Sequence, residues 1–260
     1  MQRSHQLNKQ ERQGDSVKIV AVIPARYRSK RFNGKPLALI AGKPMIHHVF
    51  QRAKACPELD EIYVATDDLR IYECVTEFGS KAIMTHENHQ SGTDRIAQAV
   101  ETIHLEDRDI VVNIQGDQPI FQPSQLSDLI QALTKNPTIP MATLMYKIRN
   151  NNELHDINKV KVVVDRNGYA LYFSRLPIPL YRDEQSKKTF HYKHLGLYAY
   201  RKEFLLAFTH LSSTVLERAE KLEQLRFLEH GFKIKVVETI FDSIEVDTPE
   251  DITRVEENLP

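Results

Sequence analysis

A short segment behind an apolar run is unusually rich in positive charge. The segment PARYRSKRFNGKPL, residues 24–37, follows KIVAVI and carries the five cations Arg26, Arg28, Lys30, Arg31 and Lys35. Arginine offers paired donors to phosphate and lysine offers a mobile point charge, so this basic loop is suited to a triphosphate. It lacks both the G-x-x-x-x-G-K-[ST] and the G-x-G-x-x-G patterns of familiar phosphate loops. Taken alone, it also fits a solvated basic turn.

Two separated carboxylates are candidates for binding a metal ion. Asp117 lies in QGDQP, where Gly116 allows a sharp turn, and Asp247 lies in VDTPED near the C-terminus. Mg²⁺ prefers oxygen ligands and commonly takes one or two carboxylates together with substrate phosphates. The structural alternatives are that Asp117 caps the following helix and that VDTPED only starts one. With the basic loop, the two carboxylates form the set that phosphoryl or nucleotidyl transfer requires, because that chemistry depends on neutralising a metal-bound phosphate.

Other motifs carry weaker signals when each is taken singly. HQSGTDR, residues 89–95, offers Ser91 and Arg95 to a base edge, or simply an N-cap at Ser91 or Thr93. Polar groups inside apolar strands are costly unless they have partners. The polar residues of this kind are Arg175 in YFSR, and His194 and Tyr198 in KHLGLYAY. Glu223 and Gln224 in LEQLR also fit an ordinary solvated helix face.

The first half of the chain alternates short β-rich runs with longer helical patterns. The clearest strands are residues 18–23, 61–66, 81–84 and 109–114. Between them, apolar residues recur three or four apart, as in a helix that faces a sheet. This pattern predicts an α/β fold with a mostly parallel central sheet and helices on both faces. Ligands bind beyond the carboxyl ends of such strands. The basic loop, TDD at residues 66–68 and QGDQP at residues 115–119 are therefore expected to converge at one edge of the sheet.

The second half is richer in strands. After about residue 138, ATLMYKI, KVVVD, YALYFSR and YKHLGLYAY follow with little helix between them, which predicts an inserted β-rich layer, antiparallel or at a dimer surface. LERAEKLEQLRFLEHG then predicts one continuous helix that stops at Gly231. KIKVVET is typical of a returning strand, and TPEDITRVEENL predicts a terminal helix with Thr248 as N-cap and Pro249 at its first position.

Bulk composition excludes several classes of protein. The 260 residues carry a formal net charge of zero, so no overall field attracts nucleic acid or an anionic membrane. No apolar run approaches the roughly 20 residues that span a bilayer. The two cysteines, Cys56 and Cys74, lack metal or redox spacing and are expected to be free thiols of a soluble, cytoplasmic protein. Residues 1–16 are polar and without periodicity, which predicts a disordered tail before a single domain at 17–260.

Taken together and in order, these motifs resemble the 3-deoxy-manno-octulosonate cytidylyltransferase family. The resemblance rests on PARYRSKRFNGKPL, VATDD, HQSGTDR, NIQGDQP, KVVVD, GYALYFSR, KHLGLYAY, LEQLR and VDTPED, from about Lys18 to the C-terminus. It implies a nucleotide-diphospho-sugar transferase (Rossmann-like) fold, a homodimer and dependence on Mg²⁺. It also implies a reaction in which the anomeric hydroxyl of a 2-keto-3-deoxy sugar acid attacks the α-phosphorus of CTP and expels pyrophosphate, for lipopolysaccharide synthesis.

The resemblance also assigns roles to individual residues. It implies nucleotide binding by residues 17–137 and sugar binding and dimerisation by residues 138–260. Asp117 and Asp247 would hold the metal and, with Lys35, act in catalysis. The nucleotide contacts would be Arg26, Arg31, Lys35, Ser91, Gly92, Arg95 and Gln115. The sugar contacts would be Gln115, Arg175, His194, Tyr198, Glu223 and Gln224, with Arg175 facing the sugar carboxylate.

Two departures from the family pattern bear on the sugar. The family usually has GDEP, whereas this chain has GDQP, with Gln118 in place of the Glu. The family usually has a Gly-rich segment before VDTPED, whereas this chain has FDSIE, which adds Asp242 and Glu245. This combination resembles the branch that activates 8-amino-3,8-dideoxy-manno-octulosonate, whose ammonium group suits a carboxylate partner. More remote alternatives are a cytidylyltransferase for sialic acid and a nucleotide-binding protein without catalysis.

Overall fold

The computed structural model describes residues 17–29, 31–89, 91–182 and 190–259. The predicted tail 1–16 and Lys30 lie outside this part of the chain. The strands are β1 Ile19–Ala25, β2 Leu39–Ile40, β3 Lys43–Pro44, β4 Glu61–Thr66, β5 Lys81–Met84, β6 Ile110–Asn113, β7 Met141–Lys147, β8 Lys161–Val164, β9 Ala170–Ser174, β10 Tyr192–Arg201 and β11 Lys235–Thr239. The helices are α1 Met45–Lys54, α2 Leu69–Glu77, α3 Gly92–Glu101, α4 Pro123–Thr134, α5 Asn151–His155, α6 Lys202–Thr209, α7 Val215–Glu220, α8 Gln224–Glu229 and α9 Asp251–Glu256, with a 3₁₀ turn at Lys35–Leu37.

Most strands join one mixed sheet. Among the described residues it contains nine strands in the order β11-β7-β10-β6-β1-β4-β5, with β8 beside β10 and β9 beside β8. Strand β1 runs parallel to β4 and β6, β4 to β5, and β7 to β11, whereas β10 runs antiparallel to β6, β7 and β8. The predicted parallel sheet and its antiparallel β-rich layer are confirmed.

Helices cover both faces of this sheet, as the sequence pattern predicts. Successive side chains of β1 point to opposite faces: Ala21 and Ile23 pack with helices α1, α2 and α4, while Val20 and Val22 pack with α3, α6 and α8. All four side chains are fully buried. Each buried Val or Ile of this kind contributes about 1.5–3 kcal/mol, so β1 is a rigid base for the basic loop that follows it.

The prediction of one continuous helix before Gly231 is wrong, because the structure has two shorter helices there. Helix α7 ends at Glu220, Lys221 adopts a left-handed φ of 54°, and helix α8 begins at Gln224. The Glu220 carboxylate accepts hydrogen bonds from Ser174 Oγ and from the Arg175 backbone N–H, at 2.8 and 3.0 Å. These contacts to β9 override the local helical pattern.

The terminal helix is confirmed, but its predicted N-cap is wrong. Helix α9 covers Asp251–Glu256, and Thr248 makes no cap to it. Instead, Asp251 Oδ2 accepts from the backbone N–H groups of Asp247 and Thr248, both at 2.9 Å. An acid inside the helix therefore holds the preceding loop and fixes the backbone at Asp247.

The order of the strands creates a crevice between β1 and β6. After β1 the chain runs outward through β4 and β5, and it then returns to β6 on the other side of β1. Ligands of open α/β sheets bind at such a reversal, beyond the carboxyl ends of the strands.

Cys56 and Cys74 are both free thiols. Within the described ranges, none of the helices is both long and apolar enough to cross a membrane.

Candidate active site

A cavity of about 780 Å³ lies at the carboxyl ends of β1 and β6. It brings together the basic loop, the start of helix α3 and the loop after β6. The predicted site residues that line it are Arg26, Arg31, Lys35, Ser91, Gly92, Arg95, Gln115 and Asp117. All the predicted nucleotide contacts thus share one cavity, and their individual roles stay predictions.

A close approach of two loops sets the shape of this cavity. A Cβ atom on Gly116 would lie only 2.7 Å from the backbone oxygen of Pro24, so any other side chain would push the loops apart. Gly34 has a φ of 72°, which favours glycine, and its N–H donates to the oxygen of Tyr27 at 2.8 Å. The Arg70 guanidinium carbon lies 3.4 Å from the centre of the Tyr27 ring. These contacts fold the basic loop back over the sheet edge.

Both candidate metal carboxylates are paired with cations of the basic loop. Lys35 Nζ lies 2.7 Å from Asp117 Oδ2 and also donates to the oxygen of Val246 at 2.8 Å. Arg31 Nη2 lies 2.9 Å from Asp247 Oδ1. The N–H of Val246 donates to the oxygen of Asp117 at 2.9 Å, so the segments that carry the two carboxylates are directly hydrogen-bonded.

Neither carboxylate serves the helix next to it. Helix α4 begins only at Pro123, and Asp251 holds the N–H groups before α9. Asp117 and Asp247 are therefore not needed as helix caps, and two carboxylate groups at neighbouring segments fit the oxygen donors that Mg²⁺ takes. Across the described residues, no group of three or more His, Cys, Asp or Glu is arranged to hold a metal.

Arg95 and Ser91 anchor the start of helix α3. Ser91 Oγ accepts from the N–H of Asp94 at 3.1 Å, so of the two alternative N-caps, Ser91 and Thr93, the helix uses Ser91. Arg95 is only 3% exposed; its Nη2 lies 3.2 Å from Asp67 Oδ2, and its Nη1 donates to Thr85 Oγ1 at 2.5 Å. Burial lowers the pKa of the Arg95 guanidinium, and the Asp67 carboxylate opposes this. Asp67, from the TDD motif, therefore holds Arg95 in place.

A second, smaller cavity of about 100 Å³ lies on the β10 side of the site. It is lined by residues that include Lys159, His194, Gly196 and Glu245. Burial lowers the pKa of His194 to about 3, so the imidazole is neutral near pH 7. Its Nε2 lies 2.9 Å from Thr143 Oγ1. A neutral, fixed imidazole suits hydrogen bonding to a hydroxyl-rich ligand.

Gln118 and Glu245, two of the departures noted in the sequence, contact each other. Gln118 Nε2 donates to Glu245 Oε1 at 2.8 Å, and Gly196 lies beside both side chains. Gln118 is fully buried, and its Oε1 has no hydrogen-bond partner among the residues that the structure describes. Burial raises the pKa of Glu245, and the nearby carboxylates of Asp117 and Asp247 raise it further. This pair thus links the metal carboxylates to the smaller cavity.

Three of the predicted sugar contacts cluster around the break between α7 and α8. Glu223 Oε2 accepts from Thr93 Oγ1 at 2.7 Å, and burial raises its pKa. Gln224 and Tyr198 are both buried, and the pKa of Tyr198 is raised well above its usual range by burial. The break in the helix is what turns Glu223 inward, toward the helix that carries Arg95.

Arg175 lies outside the residues that line either cavity. Its Nε, Nη1 and Nη2 donate to the backbone oxygens of Glu220, Ile157 and Lys221, at 2.6, 2.9 and 3.3 Å. In this arrangement Arg175 joins β9 to two neighbouring loops. Its contact with the sugar carboxylate stays a prediction, for which the second N–H groups of Nη1 and Nη2 remain beyond these three bonds.

Comparisons with known proteins show the family of this chain. The sequence pattern of the cytidylyltransferase family matches residues 20–239. The chain belongs to the cytidylyltransferase family. A 3-deoxy-manno-octulosonate cytidylyltransferase from Syntrophus aciditrophicus (strain SB) is 55% identical over 93% of this chain and 97% of its own. An 8-amino-3,8-dideoxy-manno-octulosonate cytidylyltransferase from Shewanella baltica (strain OS185) is 52% identical over 94% and 99%.

A solved structure is also close to this cytidylyltransferase. CMP:2-keto-3-deoxy-manno-octonic acid synthetase, complexed with CTP, superposes with a TM-score of 0.87 and 43% identity, covering 92% of this chain and 97% of the other. A 4-diphosphocytidyl-2C-methyl-D-erythritol synthase from Anaerococcus prevotii DSM 20548 is 17% identical with a TM-score of 0.61, which shows a shared fold alone. The predicted fold and family are therefore confirmed.

Several residues of the cytidylyltransferase site were not predicted from the sequence. His89 lines the large cavity, and its Nε2 lies 2.6 Å from Gln98 Oε1. Arg28, one of the five cations of the basic loop, also lines that cavity, and its Nη1 lies 3.7 Å from Glu87 Oε2. Lys159 lines the small cavity. His89 was detectable as the first residue of HQSGTDR, whereas nothing in the sequence around Lys159 separates it from other surface lysines.

Proposed function

We propose that this protein is a Mg²⁺-dependent enzyme that couples CTP to 3-deoxy-D-manno-octulosonate, giving CMP-3-deoxy-D-manno-octulosonate and pyrophosphate. The observation that carries the proposal is the pairing of Lys35 with Asp117 and of Arg31 with Asp247 at the wall of the large cavity. It brings cations that suit phosphate and carboxylates that suit a metal ion to one point, which supports the proposal. The names of the relatives supply the substrates.

The chain's own residues divide the work of this reaction. Arg26, Arg31 and Lys35 would hold the β- and γ-phosphates, which leave together as pyrophosphate. Mg²⁺ on Asp117 and Asp247 would neutralise the triphosphate and polarise the phosphorus that is attacked. The anomeric oxygen forms the new bond to the α-phosphorus as the bond to the β-phosphate bridge breaks, and the hydroxyl proton passes to solvent. Cytidine binding would fall to Ser91, Gly92 and Arg95.

A specific contact favours 8-amino-3,8-dideoxy-D-manno-octulosonate as a second candidate substrate. Glu245 lines the small cavity, and Gln118 adds an unpartnered carbonyl oxygen beside it. Both groups accept hydrogen bonds, and an ammonium group is purely a donor. Asp242, the other added carboxylate, is already paired with the buried Lys193 at 2.8 Å, a cation that it shares with Glu153. The amino-sugar alternative therefore rests on Glu245 and Gln118.

Pyrophosphate release with CTP, Mg²⁺ and each candidate sugar tests the proposal. We expect the highest kcat/KM with the 8-hydroxy sugar, lower values with its 8-amino analogue, and little or no turnover of sialic acid. A clear preference for the amino sugar would replace the leading substrate with the second candidate. CTP binding without release from any sugar would instead indicate a non-catalytic binding protein.

We also propose a homodimer and a cytoplasmic location. Large apolar side chains are exposed on β9 and the loop that follows it, namely Leu171, Leu176 and Leu180. Exposed apolar groups in one region favour a protein interface, which supports the homodimer.

The two free thiols are typical of a reducing compartment, which supports the cytoplasmic location.

A further inference from the structure

The cations that are proposed to hold the triphosphate already have anionic partners. Arg31 contacts Asp247 at 2.9 Å, and Lys35 contacts Asp117 at 2.7 Å. Those two partners are the carboxylates that are proposed to hold Mg²⁺. Each metal ligand is thus compensated by a phosphate-binding cation while no nucleotide is bound.

The two pairs differ in how tightly they are held. The side chain of Arg31 is 62% exposed and that of Asp247 is 35% exposed, so this pair is accessible and weak. Lys35 is only 13% exposed and has a second acceptor in the oxygen of Val246. Displacing Lys35 from Asp117 therefore costs more than displacing Arg31 from Asp247.

A metal ion alone meets an unfavourable site. It must compete with Arg31 and Lys35 for both carboxylates, and no third acidic or imidazole ligand joins them among the described residues. Mg²⁺ keeps near-octahedral coordination and is usually completed by substrate phosphates and water. The protein therefore offers too few free oxygens to a metal that arrives without a nucleotide.

A triphosphate favours binding of the metal and release of the two cations from the carboxylates at the same time. Its oxygens offer ligands to the metal and anionic partners to the two cations. The metal can then replace the cations on the carboxylates while the cations move onto phosphate. Since coupling between two binding events is reciprocal, the metal should also strengthen nucleotide binding.

We propose that Arg31 and Lys35 are exchange partners, which neutralise Asp247 and Asp117 in the unliganded protein and transfer to phosphate when the metal and CTP bind together. The inference rests on the proposed function, and it adds that the site rejects free metal and binds the metal–nucleotide pair cooperatively. Arg31 and Lys35 thus have opposite effects on metal binding before and after the nucleotide arrives.

Binding of Mn²⁺, a paramagnetic substitute for Mg²⁺, tests this without turnover. Free Mn²⁺ is measured by electron paramagnetic resonance with the full chain, in the presence and absence of CTP and with no sugar. We expect Arg31→Gln to tighten the binding of Mn²⁺ alone by about two- to five-fold, the range of an exposed ion pair. Lys35→Gln should tighten it by about ten-fold or more, since a charge-assisted bond at a less exposed site is lost. Both variants should weaken binding of Mn²⁺ with CTP.

The matched control is Lys43→Gln, which removes one positive charge at an exposed position of β3, away from the residues that line the large cavity. Lys43 takes part in neither of the ion pairs that hold Asp117 and Asp247. Its substitution should leave binding of Mn²⁺ alone unchanged. Equal tightening by Lys43→Gln would mean a general field effect and would overturn the exchange. Unchanged binding of Mn²⁺ alone in Arg31→Gln and Lys35→Gln, with weakened binding of the pair, would also overturn it while sparing the proposed function. No binding of Mn²⁺ with CTP by the unaltered protein would overturn both.

Discussion

Asp117→Asn is expected to reduce kcat by 10²- to 10³-fold or more while the protein stays folded. Asparagine keeps the size of the side chain but lacks the charge that holds a metal ion, and the loss of one preorganised electrostatic group costs about 2.7–4 kcal/mol in comparable sites. The fold should persist because the bond between the Val246 N–H and residue 117 uses the backbone oxygen. The measurement is the rate of pyrophosphate release at saturating CTP and sugar, with circular dichroism for the fold. Asp247→Asn should behave in the same way.

Asp60→Asn is the matched control for this substitution. Asp60 lies directly before β4, at the opposite edge of the sheet, where Oδ2 accepts from the Ile19 N–H at 2.9 Å. An amide oxygen can replace that acceptor, so turnover should stay close to that of the unaltered protein. A near-normal rate of Asp117→Asn in Mg²⁺ would show that the metal assignment is wrong.

Lys35→Ala is expected to lower kcat/KM for CTP by about 10- to 150-fold. The substitution removes one charge-assisted contact to the triphosphate, which is worth roughly 1.5–3 kcal/mol. It also leaves the Asp117 carboxylate and the oxygen of Val246 without their shared donor. Initial rates across a range of CTP concentrations give the effect, and Lys43→Ala, at an exposed position of the short strand β3, is the control. An unchanged dependence on CTP would remove Lys35 from the phosphate site.

The sequence correctly predicted that the basic loop and QGDQP converge, for a physical reason. In a parallel sheet, the residues after β1 and β6 must emerge at the same edge, because neighbouring strands share their direction. The basic loop and QGDQP could therefore be placed together from their positions after apolar runs. Ser91 was also predictable, since a capping serine before a helical pattern is a local signal.

The sugar half was less predictable because it depends on contacts between distant segments. The break at Lys221 comes from contacts of Glu220 with β9, and it turns Glu223 inward. No local pattern distinguishes that break from a continuous helix. The hydrogen bonds from Arg175 to three backbone oxygens could not be predicted either, because they also join distant segments of the chain.

The pairing of the metal carboxylates with the basic loop also needed the structure. Asp247 is far from Arg31 along the chain, and it reaches the site because Asp251 fixes the loop before α9. Residue types alone predicted that cations bind phosphate and that carboxylates bind metal. They did not predict that the two groups neutralise each other.

The most direct test of the central claim is ³¹P nuclear magnetic resonance of the reaction of CTP, Mg²⁺ and 3-deoxy-D-manno-octulosonate with the full chain. Attack on the α-phosphorus predicts that CTP is replaced by equal amounts of pyrophosphate and one new phosphodiester, the CMP-sugar. Formation of CDP with a sugar phosphate would place the attack at the γ-phosphorus and contradict the assignment of Arg31 and Lys35 to the leaving group. CTP that remains intact beside the sugar would contradict the cytidylyltransferase account as a whole.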